Sequence, residues 1–256
     1  MERIVNIAFN TFRELIRGKL LYIVLFFGVI LIISTYILSP LSVGAAKDKI
    51  ITDVALAFIS LFGIFTAVVS GSTLVHKEVD KRAVYMIFTR PVTRLEYLVG
   101  KFFGIMAALT IMVMIMVAVT VVVVVFSGGS ITAGILAAIF LSLLEMAVIT
   151  SIVILFSTFT SPILTFFFTL CMFIAGSLSG DLRVFAEKFG SQAMKFIVDT
   201  FYYILPNLKL FNLRHEAVHG MNFQYSDIMV TVGYAIVYCS VIIYFSCLIF
   251  RKREFV

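Results

Sequence analysis

The sequence predicts an all-α integral membrane protein with six transmembrane helices, an N-terminal interfacial helix, a short amphipathic helix in a cytoplasmic loop and an amphipathic extracytoplasmic region between spans five and six. Three observations lead there. Of 256 residues 62% are apolar and 13% charged, against about 45–50% and about 25% in a soluble domain, and the mean hydropathy is +1.12. Such a chain has too little polar surface to cover itself in water. The apolar residues fall in long continuous runs without strand-like alternation, so helices, and not a barrel, satisfy the backbone in lipid. The basic residues, finally, are distributed unevenly between the loops that alternate runs would place on opposite sides.

The elements follow in order. Residues 1–19 place Val5, Phe9, Phe12 and Ile16 at helical spacing, with Arg3, Asn6, Asn10, Arg13 and Arg17 around much of the remaining face. That is the pattern of a helix lying in the headgroup layer, closed near Gly18. No small-residue cleavage site follows, so this segment is expected to be retained. Spans are expected at about 20–38, 50–75, 102–126, 131–156, 163–178 and 228–250, each but the short fifth able to cross about 30 Å of hydrocarbon at about 1.5 Å per residue. Gly176-Ser177, with Gly180 just beyond, lie near the outer end of the fifth and are expected to loosen or break it there. Thr158, Thr160, Ser161 and Pro162 form an uncharged turn before it. Cys171, Cys239 and Cys247 all lie in apolar runs, which makes them small buried hydrophobes and not a disulfide framework.

Six spans put the N-terminal segment, residues 76–101 and the C-terminal tail on one side. Together they hold 13 of the 20 Lys and Arg residues, against six acids. The positive-inside rule makes that side, and both termini, cytoplasmic. The net charge of +6 is then topological, and a nucleic-acid partner is not expected.

The cytoplasmic loop 76–101 opens with mixed charge, including Glu78, Asp80 and Arg82, and then gives Val84, Met86, Ile87 and Phe88 before Arg90, Pro91 and Arg94. Pro91 breaks a helix and biases Arg90 away from the α region. Thr93 with Glu96 forms a capping box that restarts the helix. An apolar patch edged by charge in this position suits a protein surface or the lipid interface.

The run from Glu78 to Lys101, with E-V-D-K-R and T-R-P-V-T-R-L-E-Y-L-V-G-K, resembles the first cytoplasmic loop of ABC-2 type transporter permeases, with the flavour of the subgroup that includes the nitrous-oxide reductase maturation permease. The resemblance extends to the N-terminal helix, the six-span plan and Leu205-Pro206-Asn207-Leu208 followed by Phe211-Asn212-Leu213, and it makes residues 1–256 a single membrane domain. It implies a coupling helix seated on a separate cytoplasmic ABC ATPase, with Glu78, Asp80, Arg82, Val84, Met86, Ile87, Phe88, Arg90 and Arg94 in the coupling role. It also implies a second permease copy, identical or not, export as the direction, and a bacterial or archaeal inner membrane as the location. No G-x-x-x-x-G-K-[ST] occurs in the sequence, so the chain is expected to bind no cofactor itself and to hold no catalytic site, with ATP and Mg²⁺ on the ATPase.

Other features point elsewhere. His215-Glu216-Ala217-Val218-His219 matches H-E-x-x-H, which on a helix would offer two imidazoles to Zn²⁺ with Glu216 polarising a water. Gly220 follows at once and the extended third-ligand pattern is missing, so solvated histidines on an outer loop are the plainer expectation. Residues 179–227 are too polar to span. Phe185, Phe189, Phe196, Ile197, Phe201 and Ile204 nevertheless recur near helical spacing, opposed by Glu187, Lys188, Lys195 and Asp199, and Pro206 ends the pattern. This region suits the outer leaflet or an extracytoplasmic protein partner. Glu145 lies mid-span in the fourth helix, where an unpaired charge would cost several kcal/mol; it is expected to face a protein interior, with a role in cargo passage or gating, or a hydrogen bond to neighbouring Ser or Thr, as the two readings. Three functions are thereby in view: an ATP-driven permease, a membrane zinc metalloprotease, and a non-transporting scaffold for an extracytoplasmic assembly.

Overall fold

The computed structural model describes residues 2–18, 20–38, 46–80, 93–126, 133–189, 192–212, 214 and 225–252. Among them the regular elements are all helical: α1 (Glu2–Ile16), α2 (Leu20–Leu38), α3 (Ala46–Asp80), α4 (Arg94–Phe126), α5 (Ala133–Ser157), α6 (Pro162–Phe189), α7 (Gln192–Ile204), a 3₁₀ turn (Leu208–Phe211) and α8 (Tyr225–Lys252). Five stretches are long and apolar enough to cross a membrane: Lys49–Thr73, Arg94–Phe126, Gly134–Ser157, Pro162–Phe189 and Asp227–Phe250. A shorter apolar stretch, Tyr22–Thr35, lies within α2.

The core sits where α3, α4 and α5 meet, and it includes the buried Ile59, Leu109, Met112, Ile149 and Ile152. The α3–α5 contact is close because α3 presents glycines: a Cβ on Gly63 would overlap Met146, and one on Gly71 would overlap Val153. Small residues at a helix crossing gain van der Waals contact where lipid supplies no hydrophobic drive between helices. Several hydroxyls buried in the spans turn back on their own helices. Thr66 Oγ1 donates to Phe62 O, Thr120 Oγ1 to Met116 O, and Thr150 Oγ1 to Met146 O, each at 2.7–2.9 Å. These three hydroxyl protons are thereby satisfied within the helix rather than left to lipid.

α3 has 35 residues and α4 has 33, about 50 Å of helix each and well beyond a core of about 30 Å. Part of that excess in α4 is the seat of α1. A Cβ on Gly100 would stand 2.8 Å from Ile7, and one on Gly104 would stand 2.6 Å from Ala8 O and from Thr11 Cβ. The Gly-x-x-x-Gly spacing thus opens a groove in α4 into which α1 lays Ile7, Ala8 and Thr11. Val5 and Phe9 stay exposed, so α1 has one face on protein and a second apolar face free for the lipid interface.

Two expectations need correction. α6 does not loosen at Gly176-Ser177 or Gly180 but runs unbroken to Phe189. Ser179 Oγ donates to Gly176 O at 2.8 Å within the helix. The missing side chain at Gly176 admits a neighbour, since a Cβ there would meet Pro206 O at 2.6 Å and Leu208 at 3.2 Å. Cys171 is exposed, whereas Cys239 and Cys247 are buried; an apolar run in a span fixes depth, not facing, and Cys171 falls on the outward side of α6. The turn before α6 is as tight as its residues suggest, with Thr160 N–H on Phe156 O at 2.9 Å and the Thr160 and Thr165 hydroxyls 2.7 Å apart.

After α7 the chain turns back into the bundle. Leu208 and Phe211 are buried. Asn207 N–H donates to Tyr234 Oη at 3.0 Å and its Nδ2 to Tyr202 Oη at 2.9 Å, while the Phe211 ring lies 6.2 Å from that of Tyr234. Irregular backbone beside a span is stable only when protein encloses it in this way.

Candidate functional site

Two places gather the residues on which chemistry or coupling could rest. The first is the junction of α1, the start of α4 and the end of α8. Thr93 caps α4: its backbone N–H donates to Glu96 Oε2 at 2.8 Å and its hydroxyl to the same oxygen at 3.0 Å, while Glu96 N–H donates to Thr93 Oγ1 at 3.3 Å. The reciprocal bonds satisfy donors at the helix end that no earlier turn can serve. One residue on, the Arg94 guanidinium donates to the backbone oxygen of Phe250 and sits 5.7 Å from the Phe250 ring centroid. Tyr97 stacks on the same ring, centroids 6.3 Å apart and planes 10° from parallel, and Lys101 Nζ lies 5.7 Å from the Tyr97 ring. Phe250 and Tyr97 are buried.

The restart of the helix after Pro91 is therefore fixed to the last turn of α8, and through Gly100 and Gly104 to α1. Beside it opens a cleft lined by Thr93, Arg94, Leu95, Tyr244, Cys247 and Leu248. The three segments that carry the excess of basic residues meet at this one end of the bundle.

Of the coupling residues expected from the sequence, Arg94 stands in this junction, engaged by its own chain. Glu78 and Asp80 lie on the last turn of α3. Arg82, Val84, Met86, Ile87, Phe88 and Arg90 lie outside the described residues, as do His215, Glu216 and His219. Among the described residues no cluster of three or more His, Cys, Asp or Glu is arranged to hold a metal ion.

The second place is Glu145. Its side chain is buried, at 7% exposure, and Ser60 Oγ of α3 donates to its Oε2 at 3.2 Å. Ser142, one turn earlier, gives its hydroxyl to Ala138 O instead. Glu145 thus faces a protein interior between α3 and α5, and its partner comes from another span. Sequence reasoning missed three things here. Ser60 was hidden because a partner 85 positions away leaves no local trace. Phe250 shows in the sequence only as part of an apolar run. Gly100 and Gly104 carry a signal legible in the sequence, their four-residue spacing.

The model of the ABC-2 family transporter protein matches residues 5–255. The chain belongs to the ABC-2 transporter family. No curated protein shows significant similarity to it. Membership makes this a multi-pass membrane protein of the transport type, and the matched span takes in α1, the capped start of α4, Glu145 and the last turns of α8 alike. Within this ABC-2 member the Thr93–Glu96 cap and the Arg94–Phe250 contact are the described geometry closest to the loop that resembles a coupling segment.

Proposed function

We propose that the chain is the permease subunit of an ATP-driven exporter, with six spans, cytoplasmic termini and a separate ABC ATPase that engages residues 78–94. A second permease copy completes the pathway. Family membership over nearly the whole chain carries the reading. The junction supports it mechanically. A loop that emerges from α3 and re-enters through a capped α4, itself clamped to α1 and α8, passes displacement to four helices at once and does not dissipate it in one frayed end. Closure of two ATPase subunits would then move rigid helices against each other, the shear and hinge repertoire that packed bundles use.

The test is co-expression of the tagged chain with a Walker-type ATPase encoded beside it, followed by purification in lipid nanodiscs. The reading predicts a stable complex that hydrolyses ATP. A chain that purifies alone, captures no ATPase and carries stoichiometric zinc lost in His215→Ala would replace the reading by the protease.

A further inference from the structure

Where the start of α4 meets the last turns of α8, the two helices leave a cleft of about 540 Å³ between them. That is within the range of about 300–1,000 Å³ found for sites that take small organic molecules. The lining has two kinds of chemistry. Arg94 brings a cation and Tyr244 a hydroxyl, while Leu95, Cys247 and Leu248 bring apolar surface. No acid is among the lining residues. Glu96, two residues beyond Arg94, is held by Thr93 in the cap, and Arg3 is near enough for its charge to act on it.

The cleft also straddles a boundary. Residues 228–250 of α8 carry no charge and rise about 34 Å, slightly more than a hydrocarbon core of about 30 Å. Tyr244, Cys247 and Leu248 precede the first charge, Arg251, by at most seven residues, or about 10 Å. That is the depth at which acyl chains meet headgroups. Arg94 stands level with the last apolar turn, because its guanidinium donates to Phe250 O. The rim is open: Leu95, Tyr244 and Phe245 are 44%, 58% and 51% exposed. The neighbouring α1, seated on Gly100 and Gly104, repeats the pairing of cation and apolar surface, with Phe9 exposed and Arg13 4.4 Å from its ring centroid.

The geometry points to a binding site for one phospholipid with an anionic headgroup, its phosphate on Arg94 and Tyr244 and the first part of its acyl chains against Leu95, Cys247 and Leu248. A guanidinium offers a phosphate two parallel N–H donors and a full charge. A zwitterionic lipid brings its own ammonium and gains less from a cationic site. Free phosphate would leave the apolar half of the cleft unfilled, and a water-borne peptide would not reach residues at acyl-chain depth. The site is independent of the transport role proposed above. It makes the contact between the capped start of α4 and the end of α8 responsive to the lipid composition of the leaflet at that end.

The sequence contains no tryptophan, so a single introduced one reports alone. The test uses the full chain with Phe245→Trp, a position beside the cleft whose ring lies 6.4 Å from that of Tyr244. It is reconstituted in phosphatidylcholine vesicles that carry a minor fraction of either brominated phosphatidylglycerol or brominated phosphatidylcholine, and quenching is compared. The site predicts a preference for the anionic lipid of about fivefold, the weight of one basic residue at an anionic surface. Tyr22→Trp, 73% exposed at the start of α2, should be quenched alike by both lipids. Arg94→Gln should abolish the preference at 245, and Arg94→Lys, which keeps the charge, should retain it. Equal quenching by both lipids at 245, an equal preference at 22, survival of the preference in Arg94→Gln or its loss in Arg94→Lys overturns the site. Loss of the preference on adding inorganic phosphate would assign the cleft to the free ion and overturn the lipid as its occupant.

Discussion

Ser60 and Glu145, in different spans, meet at 3.2 Å in a buried contact, the hydroxyl of one donating to the carboxylate of the other. A polar pair between membrane helices is worth about 0.6 kcal/mol on average and up to about 1.7 kcal/mol. The Ser60→Ala, Glu145→Met double-mutant cycle, in which neither single variant keeps the hydrogen bond, read by thermal unfolding in nanodiscs, should therefore show a coupling of about 1 kcal/mol. Additive single effects would mean that the contact contributes nothing. If Glu145→Gln leaves both transport and assembly unchanged, the carboxylate has no part in cargo passage.

The seat of α1 is built by the absence of two side chains. Gly104→Leu places atoms where Ala8 O and Thr11 stand, and overpacking of this kind costs about 1–3 kcal/mol. α1 should lift from α4, seen as faster labelling of Thr11→Cys by a maleimide. Gly104→Ala should show the same effect more weakly. Unchanged labelling in Gly104→Leu would show that the groove does not hold α1.

Thr93→Ala removes the side-chain half of the cap on α4. Loss of an N-cap costs about 1 kcal/mol, and the damage should stay local: increased hydrogen exchange over residues 93–97 with the rest of α4 unaffected. Thr93→Ser should restore protection. Exchange spread evenly along α4 would contradict a local cap.

Tyr234 holds the chain after α7 through its hydroxyl, and Gly176 makes room for Pro206. Tyr234→Phe leaves Asn207 N–H without its acceptor, at a cost of about 1–3 kcal/mol. Gly176→Leu should displace the turn outright. Protease sensitivity between α7 and α8 should rise modestly in the first variant and strongly in the second. Equal resistance in both would show that the turn is held by other contacts.

Much of this architecture is legible in the sequence, and the residues show why the rest is not. Hydropathy places spans because lipid penalises every unpaired backbone group, and the Thr93–Glu96 box appears as read because a cap is decided within four residues. Facing is another matter. Cys171 and Cys239 sit in equally apolar runs, yet one points outward and the other inward, a choice made by neighbouring helices. Gly176 is ambiguous for a related reason: a glycine in a span reads equally as a weak point or as a seat, and only Pro206 and Leu208 show that it is a seat. Glu145 reads as interior because a charge in a span must be enclosed, and it is; its partner Ser60, like the role of Phe250, depends on contacts between distant segments, which leave no periodic trace.

The most direct test of the central claim, that a loop fixed to this junction receives force from a separate ATPase, is the amount of ATPase retained per chain after purification of the wild type and of Ile87→Asp with Phe88→Asp. The account predicts a stable complex for the wild type and its loss in the double variant, with the variant still folded and inserted. Equal ATPase retention by both, or attachment of the ATPase at a site away from residues 78–94, would contradict it.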